Sequence, residues 1–148
     1  MKALFAWELG GGLGHVLPLM RTGRYFSLRQ SEPIYVLADV SAAPDTNSAQ
    51  SVLQAPVCKR QLVTNVHTPE TFADVLMPAG YGDANMLGSL LNAWRSIFDL
   101  VRPDVVIADF APTALLAANV LAIPTLAMGN GFCNPPLPWP SFDDDKLP

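Results

Sequence analysis

The chain has 148 residues with a formal net charge of −4 and a sequence pI near 4.9, and half of its residues are hydrophobic. An acidic chain of this kind offers no basic stripe to neutralise phosphates, which excludes nucleic acid as an expected partner. The first apolar run ends at Glu8, too short for a signal peptide, and later runs fall short of the roughly 20 residues of a transmembrane helix, so we expect a cytoplasmic protein with no transmembrane segment.

The first predicted element is a buried strand over residues 3–7, which leads into a turn built almost entirely of glycine. Four glycines fall within five positions, namely Gly10, Gly11, Gly12 and Gly14. Such a turn carries almost no side chains, so a ligand can approach its backbone closely. Apolar residues spaced three to five apart over 17–28 predict a helix after the turn, with His15 at its start. Because a helix N-terminus presents unpaired N–H groups and a positive dipole end, this stretch predicts a binding site.

Two known types of phosphate-binding turn do not fit this stretch. A dinucleotide site requires Gly-x-Gly-x-x-Gly, and in the frame set by Gly10 and Gly12 the third position is His15. A Walker loop requires Gly-Lys-Ser/Thr, which does not follow. A glycine turn that carries an imidazole suits a general base. The alternative is a tight turn whose histidine only caps the helix.

The middle of the chain contains a second strand and several weaker signals. Residues 33–38 predict a strand that completes a strand–helix–strand unit, the kind that builds parallel sheets. Asp39 follows it and is a candidate for holding a ribose, although without the third glycine we favour a polar strand end. A short helix is expected over 47–54, and a weak strand near a sheet edge over 57–63. Tyr81, flanked by two glycines, lies in a loop that we expect to contact substrate.

The second half of the chain contains the clearest helix, which runs from Asp83 as N-cap to Val101. Apolar residues recur in it at three- and four-residue spacing, which predicts a stripe that faces the core. A strand over 104–109 has four consecutive apolar residues, typical of a buried parallel strand. A helix that begins at Pro112 and a strand over 123–128 follow. This order predicts an α/β fold with a doubly wound, mostly parallel, Rossmann-like sheet.

The expected domain organisation is simple. Residues 1–131 are predicted to form one Rossmann-like domain, and residues 132–148 a proline-rich linker or disordered tail. The acidic triplet 143–145 is interpreted as a solvated charge run, because metal ligands need rigid support. Cys58 and Cys133 lie far apart and outside any Cys-x-x-Cys pair, so no metal site is expected.

The predicted topology brings His15 and Asp109 together. Ligands of a doubly wound sheet bind at the carboxyl ends of its strands. His15 follows the first strand and Asp109 ends the strand over 104–109; such strands are normally adjacent, so we expect the two side chains to meet in one crevice. A carboxylate that binds one imidazole nitrogen fixes the tautomer and leaves the other nitrogen free as a base. The alternative is that Asp109 only caps the helix that begins at Pro112.

Two motifs resemble the UDP-glycosyltransferase-like branch of the GT-B glycosyltransferases. The run Gly-Gly-Leu-Gly-His-Val-Leu-Pro at 11–18 is similar to that family's N-terminal Gly-x-Gly-His-x-x-Pro loop. The run Pro-Asp-Val-Val-Ile-Ala-Asp-Phe at 103–110, with Ala-Ile-Pro at 122–124, is similar to its Pro-Asp-hydrophobic-Asp strand and the helix–strand pair after it. The resemblance covers residues 1 to about 132 and implies one half of a GT-B architecture.

The resemblance implies that this half binds the acceptor, and that His15 deprotonates an acceptor hydroxyl while Asp109 orients the histidine. It implies an inverting transfer without metal and without a tightly bound cofactor, in which a UDP- or dTDP-sugar is the co-substrate. The expected acceptor is a hydroxylated small molecule or a lipid. The substrate-binding residues are expected to be Gly11, Gly12, Gly14, Tyr81, Asn130 and Phe132.

The resemblance also leaves the chain incomplete. The family's C-terminal donor domain is missing, so the chain alone is expected to be inactive. A separate donor domain, or a homo-oligomer, is the expected partner. The alternative function is a non-catalytic Rossmann-like module that binds a nucleotide or another small molecule.

Overall fold

The computed structural model describes residues 1–11, 13–43, 51–58 and 71–129. The strands and helices within these ranges, in chain order, are β1 (Lys2–Trp7), α1 (Leu13–Ser27), β2 (Glu32–Leu37), β3 (Ser51–Gln54), α2 (Phe72–Leu76), α3 (Ala84–Val101), β4 (Val105–Asp109), α4 (Pro112–Val120) and β5 (Thr125–Met128). The five strands form one sheet in the order β3-β2-β1-β4-β5, and every pairing is parallel. The predicted α/β fold with a doubly wound parallel sheet is confirmed.

Hydrophobic cores lie on both faces of this sheet. Side chains of successive strand residues point to opposite faces, so Leu4 of β1 packs with α3 and α4 whereas Phe5 packs with α1. The predicted stripe of α3 faces the first of these cores, where Trp94 and Phe98 are buried. Asp83 is the N-cap of α3, as expected, and its carboxylate accepts hydrogen bonds from two backbone N–H groups. None of the helices in the described ranges is long and apolar enough to cross a membrane.

Helix α1 is present, but its buried face differs from the apolar residues that predict it. Tyr25 and Leu28 are 71% and 82% exposed. The face that meets the sheet contains Gly23, which lies against the buried ring of Tyr35. A glycine at this point lets the helix approach a large aromatic side chain of the sheet. The hydrophobic spacing therefore locates the helix without fixing its rotation.

The short helix expected over 47–54 is wrong in its second half. Residues 51–54 form β3, whose register with β2 runs from Ile34 opposite Ser51 to Leu37 opposite Gln54. Four residues are too few to distinguish a strand from a helix by periodicity, and pairing with β2 supplies the backbone hydrogen bonds that decide the outcome. The weak strand expected over 57–63 is also wrong where it is described, because residues 57–58 are outside any strand; residues 59–63 lie outside the described ranges.

Two other expectations concern the ends of elements. Asp39 follows β2 and caps a short 3₁₀ turn, because its Oδ1 accepts hydrogen bonds from the backbone N–H and the hydroxyl of Ser41. This is the polar strand end that the sequence favours. The predicted domain boundary after residue 131 and the tail 132–148 lie outside the described residues and stay predictions.

The contact between Gly23 and Tyr35 gives a test of this packing. We expect Gly23→Ala to destabilise the fold by about 1–3 kcal/mol, because the added methyl overpacks the site and this exceeds the gain in helix propensity. The same substitution should cost less in a Tyr35→Phe background, since the hydroxyl that it meets is then absent. Urea unfolding measures both.

The matched control is Gly88→Ala in α3, where an added Cβ meets no atom within 4 Å. It should be neutral or slightly stabilising, as expected of a helical glycine with free space. Equal effects of the substitutions at Gly23 and Gly88 would contradict the packing described here.

Candidate active site at the carboxyl edge of the sheet

The candidate site lies where β1 and β4 end side by side. The two strands pair in parallel, with Ala6 opposite Ala108, so their carboxyl ends meet at one edge of the sheet. His15 is the third residue of α1, and Asp109 is the last residue of β4. His15 Nδ1 lies 2.8 Å from Asp109 Oδ1 across 94 positions of sequence. The fold therefore produces the contact that the topology predicts.

The chemistry of the pair follows from its partners. An ionised carboxylate accepts hydrogen bonds but cannot donate one, so His15 Nδ1 is the donor and the lone pair of the neutral ring is on Nε2. The side chain of Asp109 is 3% exposed, whereas that of His15 is 20% exposed. The carboxylate is thus enclosed while the imidazole remains reachable, an arrangement suited to a base held by a buried orienting group.

Aromatic rings enclose the imidazole. Trp7 stacks with His15 at a centroid distance of 6.1 Å and an interplanar angle of 17°, and Phe110 lies 5.8 Å away at 39°. Trp7 is fixed in turn, because its Nε1 donates a hydrogen bond to Leu9 O at 2.7 Å. Phe110 has a φ of 48°, a strained left-handed conformation for a residue other than glycine. Strain of this kind next to Asp109 indicates a backbone held by its surroundings.

Gly10 gives the histidine the space it occupies. Its φ is 82°, and a Cβ atom at this position would lie 2.5 Å from His15 Nε2 and 3.2 Å from a ring carbon of Phe110. Gly10 is therefore needed both for its backbone conformation and for the room it leaves beside Nε2.

Glu8 is the residue that caps α4, the role considered above as the alternative for Asp109. Its Oε2 accepts a hydrogen bond from Thr113 N at 2.9 Å, and its Oε1 accepts one from Ala114 N at 2.8 Å. The residue in the N-cap position, Ala111, has no side chain that could do this. The first turn of α4 is thus satisfied by the residue that follows β1, and Asp109 Oδ1 binds His15 instead.

The Glu8 carboxyl group is 5% exposed. Burial raises its pKa from 4.5 to about 7, an effect that the N–H groups of Thr113 and Ala114 oppose. The indole of Trp94 opposes it weakly as well, although within the described residues Trp94 Nε1 completes no hydrogen bond. Glu8 is therefore a buried group that titrates near neutral pH close to the candidate site.

Tyr81 also contacts the first turn of α4. Its hydroxyl lies 3.2 Å from the hydroxyl of Thr113. Burial raises the pKa of Tyr81 to about 12, so its phenol stays protonated at neutral pH. The structure thus places Tyr81 beside the first turn of α4, the helix that follows Asp109.

The remaining predicted substrate-binding residues divide into two groups. An added Cβ at Gly11 or Gly14 meets no atom within 4 Å, so both glycines border open space. Gly12, Asn130 and Phe132 lie outside the described residues. The substrate-binding roles of these residues stay predictions.

Among the residues that are described, no cluster of three or more His, Cys, Asp or Glu side chains is placed to hold a metal ion.

Sequence reasoning missed the residues that support the pair. Glu8 carried a signal, since it is an acidic residue directly after an apolar strand and before the glycine turn. Trp7 and Phe110 read simply as apolar residues at strand ends, and nothing local reveals that their rings face His15.

This fold is found in glycosyltransferases of the GT-B class. It is similar to SsfS6, a glycosyltransferase of Streptomyces sp. SF2575, with a TM-score of 0.62 and 15% sequence identity over 90% of this chain. For CalG4, the calicheamicin glycosyltransferase, the TM-score is 0.57 with 21% identity over 85% of this chain. For the glycosyltransferase VinC, solved in complex with dTDP, it is 0.56 with 18% identity over 86%. No protein-family model and no curated protein matches the sequence.

The chain spans 42%, 31% and 34% of the length of SsfS6, CalG4 and VinC respectively. Its parallel sheet and helices match a Rossmann-like half of a GT-B glycosyltransferase. The resemblance to GT-B glycosyltransferases that the two sequence motifs predict is therefore confirmed at the level of the fold.

The geometry of Gly10 predicts the effect of adding one methyl group. We expect Gly10→Ala to cost about 1–2 kcal/mol of stability, because the left-handed backbone penalises a Cβ, and to displace the imidazole of His15. Urea unfolding and the ¹⁵N chemical shifts of His15 measure these effects. Gly14→Ala is the control and should change the stability little; an unperturbed His15 spectrum in Gly10→Ala would contradict the prediction.

The titration of Glu8 predicts how stability depends on pH. Because the pKa of Glu8 is about 7 in the folded chain against 4.5 as the ordinary value, the folded state holds this proton more tightly. Its contribution is therefore fully present below pH 4.5 and is lost as the pH rises towards 7, by about 3 kcal/mol.

The measurement compares urea unfolding of the wild type and Glu8→Gln from pH 4.5 to pH 8. The difference in unfolding free energy between the two proteins should change by that amount across the range. A constant difference would show that the burial of Glu8 does not shift its titration.

Proposed function

We propose that this chain is the acceptor-binding half of an inverting glycosyltransferase, which transfers a sugar from a nucleotide-sugar to a hydroxyl group. The observation that carries the proposal is the 2.8 Å contact between His15 Nδ1 and Asp109 Oδ1, at the carboxyl edge of a GT-B-like sheet. It leaves a partly exposed imidazole whose second nitrogen is free, beside a glycine turn. A complete enzyme requires a donor-binding domain in addition.

The proposed reaction is a single displacement. His15 Nε2 takes the proton of the acceptor hydroxyl as the acceptor oxygen attacks the anomeric carbon. A bond forms between that oxygen and that carbon, the bond from the carbon to the phosphate oxygen breaks, and the nucleoside diphosphate leaves with the electron pair. Attack opposite the leaving group inverts the anomeric configuration. The charge of Asp109 stabilises the imidazolium that forms, which is the role of the carboxylate in a base–carboxylate pair.

The surroundings of the pair support this assignment. Enclosure of Asp109 strengthens its interaction with His15, since a charge–charge interaction is larger in a medium of low dielectric constant. Gly11 and Gly14 border open space, and we assign the acceptor to that side of the glycine turn. The acceptor is a hydroxylated small molecule or a lipid.

The donor is a UDP- or dTDP-sugar. The solved complexes of VinC with dTDP and of SsfS6 with thymidine diphosphate support a nucleoside diphosphate in glycosyltransferases of this fold. Within the present chain Asp39, the candidate ribose ligand of a dinucleotide module, accepts two hydrogen bonds from Ser41 on its Oδ1. This favours the transferase over a nucleotide-binding module.

The test combines the chain with a donor-binding half of a GT-B glycosyltransferase and assays sugar transfer to phenols and alcohols. His15→Ala should lower kcat by about two orders of magnitude or more, because general-base catalysis contributes that much, and Asp109→Asn should also lower it. Asp39→Asn is the control and should leave transfer unchanged.

Calorimetry on the chain alone completes the experiment. Acceptors should bind, whereas NAD and NADP should not. Undiminished transfer after His15→Ala would remove the base assignment, and tight binding of NAD or NADP would favour the module without catalytic activity.

A further inference from the structure

Glu8 acts as the N-cap acceptor of α4, although it is distant from this helix in sequence. An N-cap side chain normally accepts hydrogen bonds from the N–H groups of the second and third helical residues. In α4 these are Thr113 and Ala114, and both donate to Glu8, which is 105 and 106 positions away. Ala111, in the N-cap position itself, has no side-chain acceptor. The use of Glu8 instead ties the loop between β1 and α1 to α4.

Two further contacts join the segment that follows β1 to the end of β4. Leu9 N donates a hydrogen bond to Phe110 O at 3.0 Å, and His15 Nδ1 lies 2.8 Å from Asp109 Oδ1. Because glycine restricts the backbone little, contacts of this kind hold His15 in place relative to β4. Glu8 supplies two of them at the start of the turn.

An ionised carboxyl group can accept a hydrogen bond from each of the two N–H groups at the start of α4. Both buried N–H groups need an acceptor, because an unpaired buried donor costs more than an exposed one. The two oxygens of Glu8 provide one acceptor each, whereas the amide of a glutamine provides one acceptor and turns a donor towards the second N–H group.

We propose that Glu8 is a positioning residue for the His15–Asp109 pair, because its carboxylate fixes the turn that carries His15 to the helix that follows Asp109. The inference rests on the proposed function for its catalytic meaning. Its structural part concerns the tautomer and placement of the His15 ring and can be measured without any catalysis.

The experiment measures the ¹⁵N chemical shifts of the imidazole at pH 8. The chain has two histidines, and His15→Gln assigns the signal. In the wild type His15 should be the Nδ1–H tautomer, held by Asp109. In Glu8→Gln this tautomer should lose its dominance as the turn loosens. The exposed carboxylate Glu32 provides the matched control, and Glu32→Gln should leave the spectrum unchanged.

A second variant separates positioning from capping. Adding Ala111→Ser to Glu8→Gln offers α4 a local acceptor in the N-cap position but does not restore the tie to the segment after β1. Because Ala111 is buried in the core, urea unfolding checks that the single and double variants are folded. Positioning predicts that the tautomer stays perturbed in this double variant. Recovery of the wild-type spectrum would reduce Glu8 to a helix cap and overturn the proposal, as would an unchanged spectrum in Glu8→Gln.

In the reconstituted transferase, Glu8→Gln should lower kcat by about tenfold to a hundredfold with little change in KM for the acceptor, as expected of a misplaced base. Full activity in His15→Ala, with a perturbed tautomer in Glu8→Gln, would refute the catalytic role of His15 and still support positioning by Glu8. The two proposals therefore fail in distinguishable ways.

Discussion

The parallel pairing of β1 with β4 is the constraint on which the candidate site depends. It aligns the carboxyl ends of two strands that are a hundred residues apart in sequence, so the loops that follow them are held side by side. The contact between His15 and Asp109 is a consequence of that alignment, since Asp109 is the last residue of β4 and His15 lies in the first turn of the helix that follows β1. Without the pairing, both residues would be ordinary polar groups on separate loops.

The polar groups at this edge are enclosed and yet largely satisfied. Both Glu8 and Asp109 are almost fully buried, and each carboxylate accepts a hydrogen bond from the first turn of a helix, Glu8 from Thr113 of α4 and Asp109 from His15 of α1. In a medium of low dielectric constant such bonds are stronger, and the loss of a partner is more costly. The buried residues Trp7 and Phe110 place aromatic rings beside His15. The burial that forms the hydrophobic core therefore also strengthens the hydrogen bonds that hold the site.

The likeness to SsfS6 and CalG4 concerns the fold, at sequence identities of 15% and 21%. A fold of this kind supports many activities, so function has to be argued from the site. Here the contact between His15 and Asp109 is the one expected from topology, and a third residue, Glu8, links the segments that carry them. Each of the three has a separate physical role, which makes the assignment accessible to experiment.

The sequence by itself determined the elements that have strong local signals: the glycine turn, the stripe of α3, the apolar run of β4 and hence the meeting of His15 with Asp109. It did not determine β3, because a four-residue run has no distinguishing period and its state is decided by pairing with β2. It did not fix the buried face of α1, which depends on how Gly23 meets Tyr35. Only the tertiary structure decided that Glu8 caps α4, because a hydrogen bond across 105 positions leaves no local pattern in the chain.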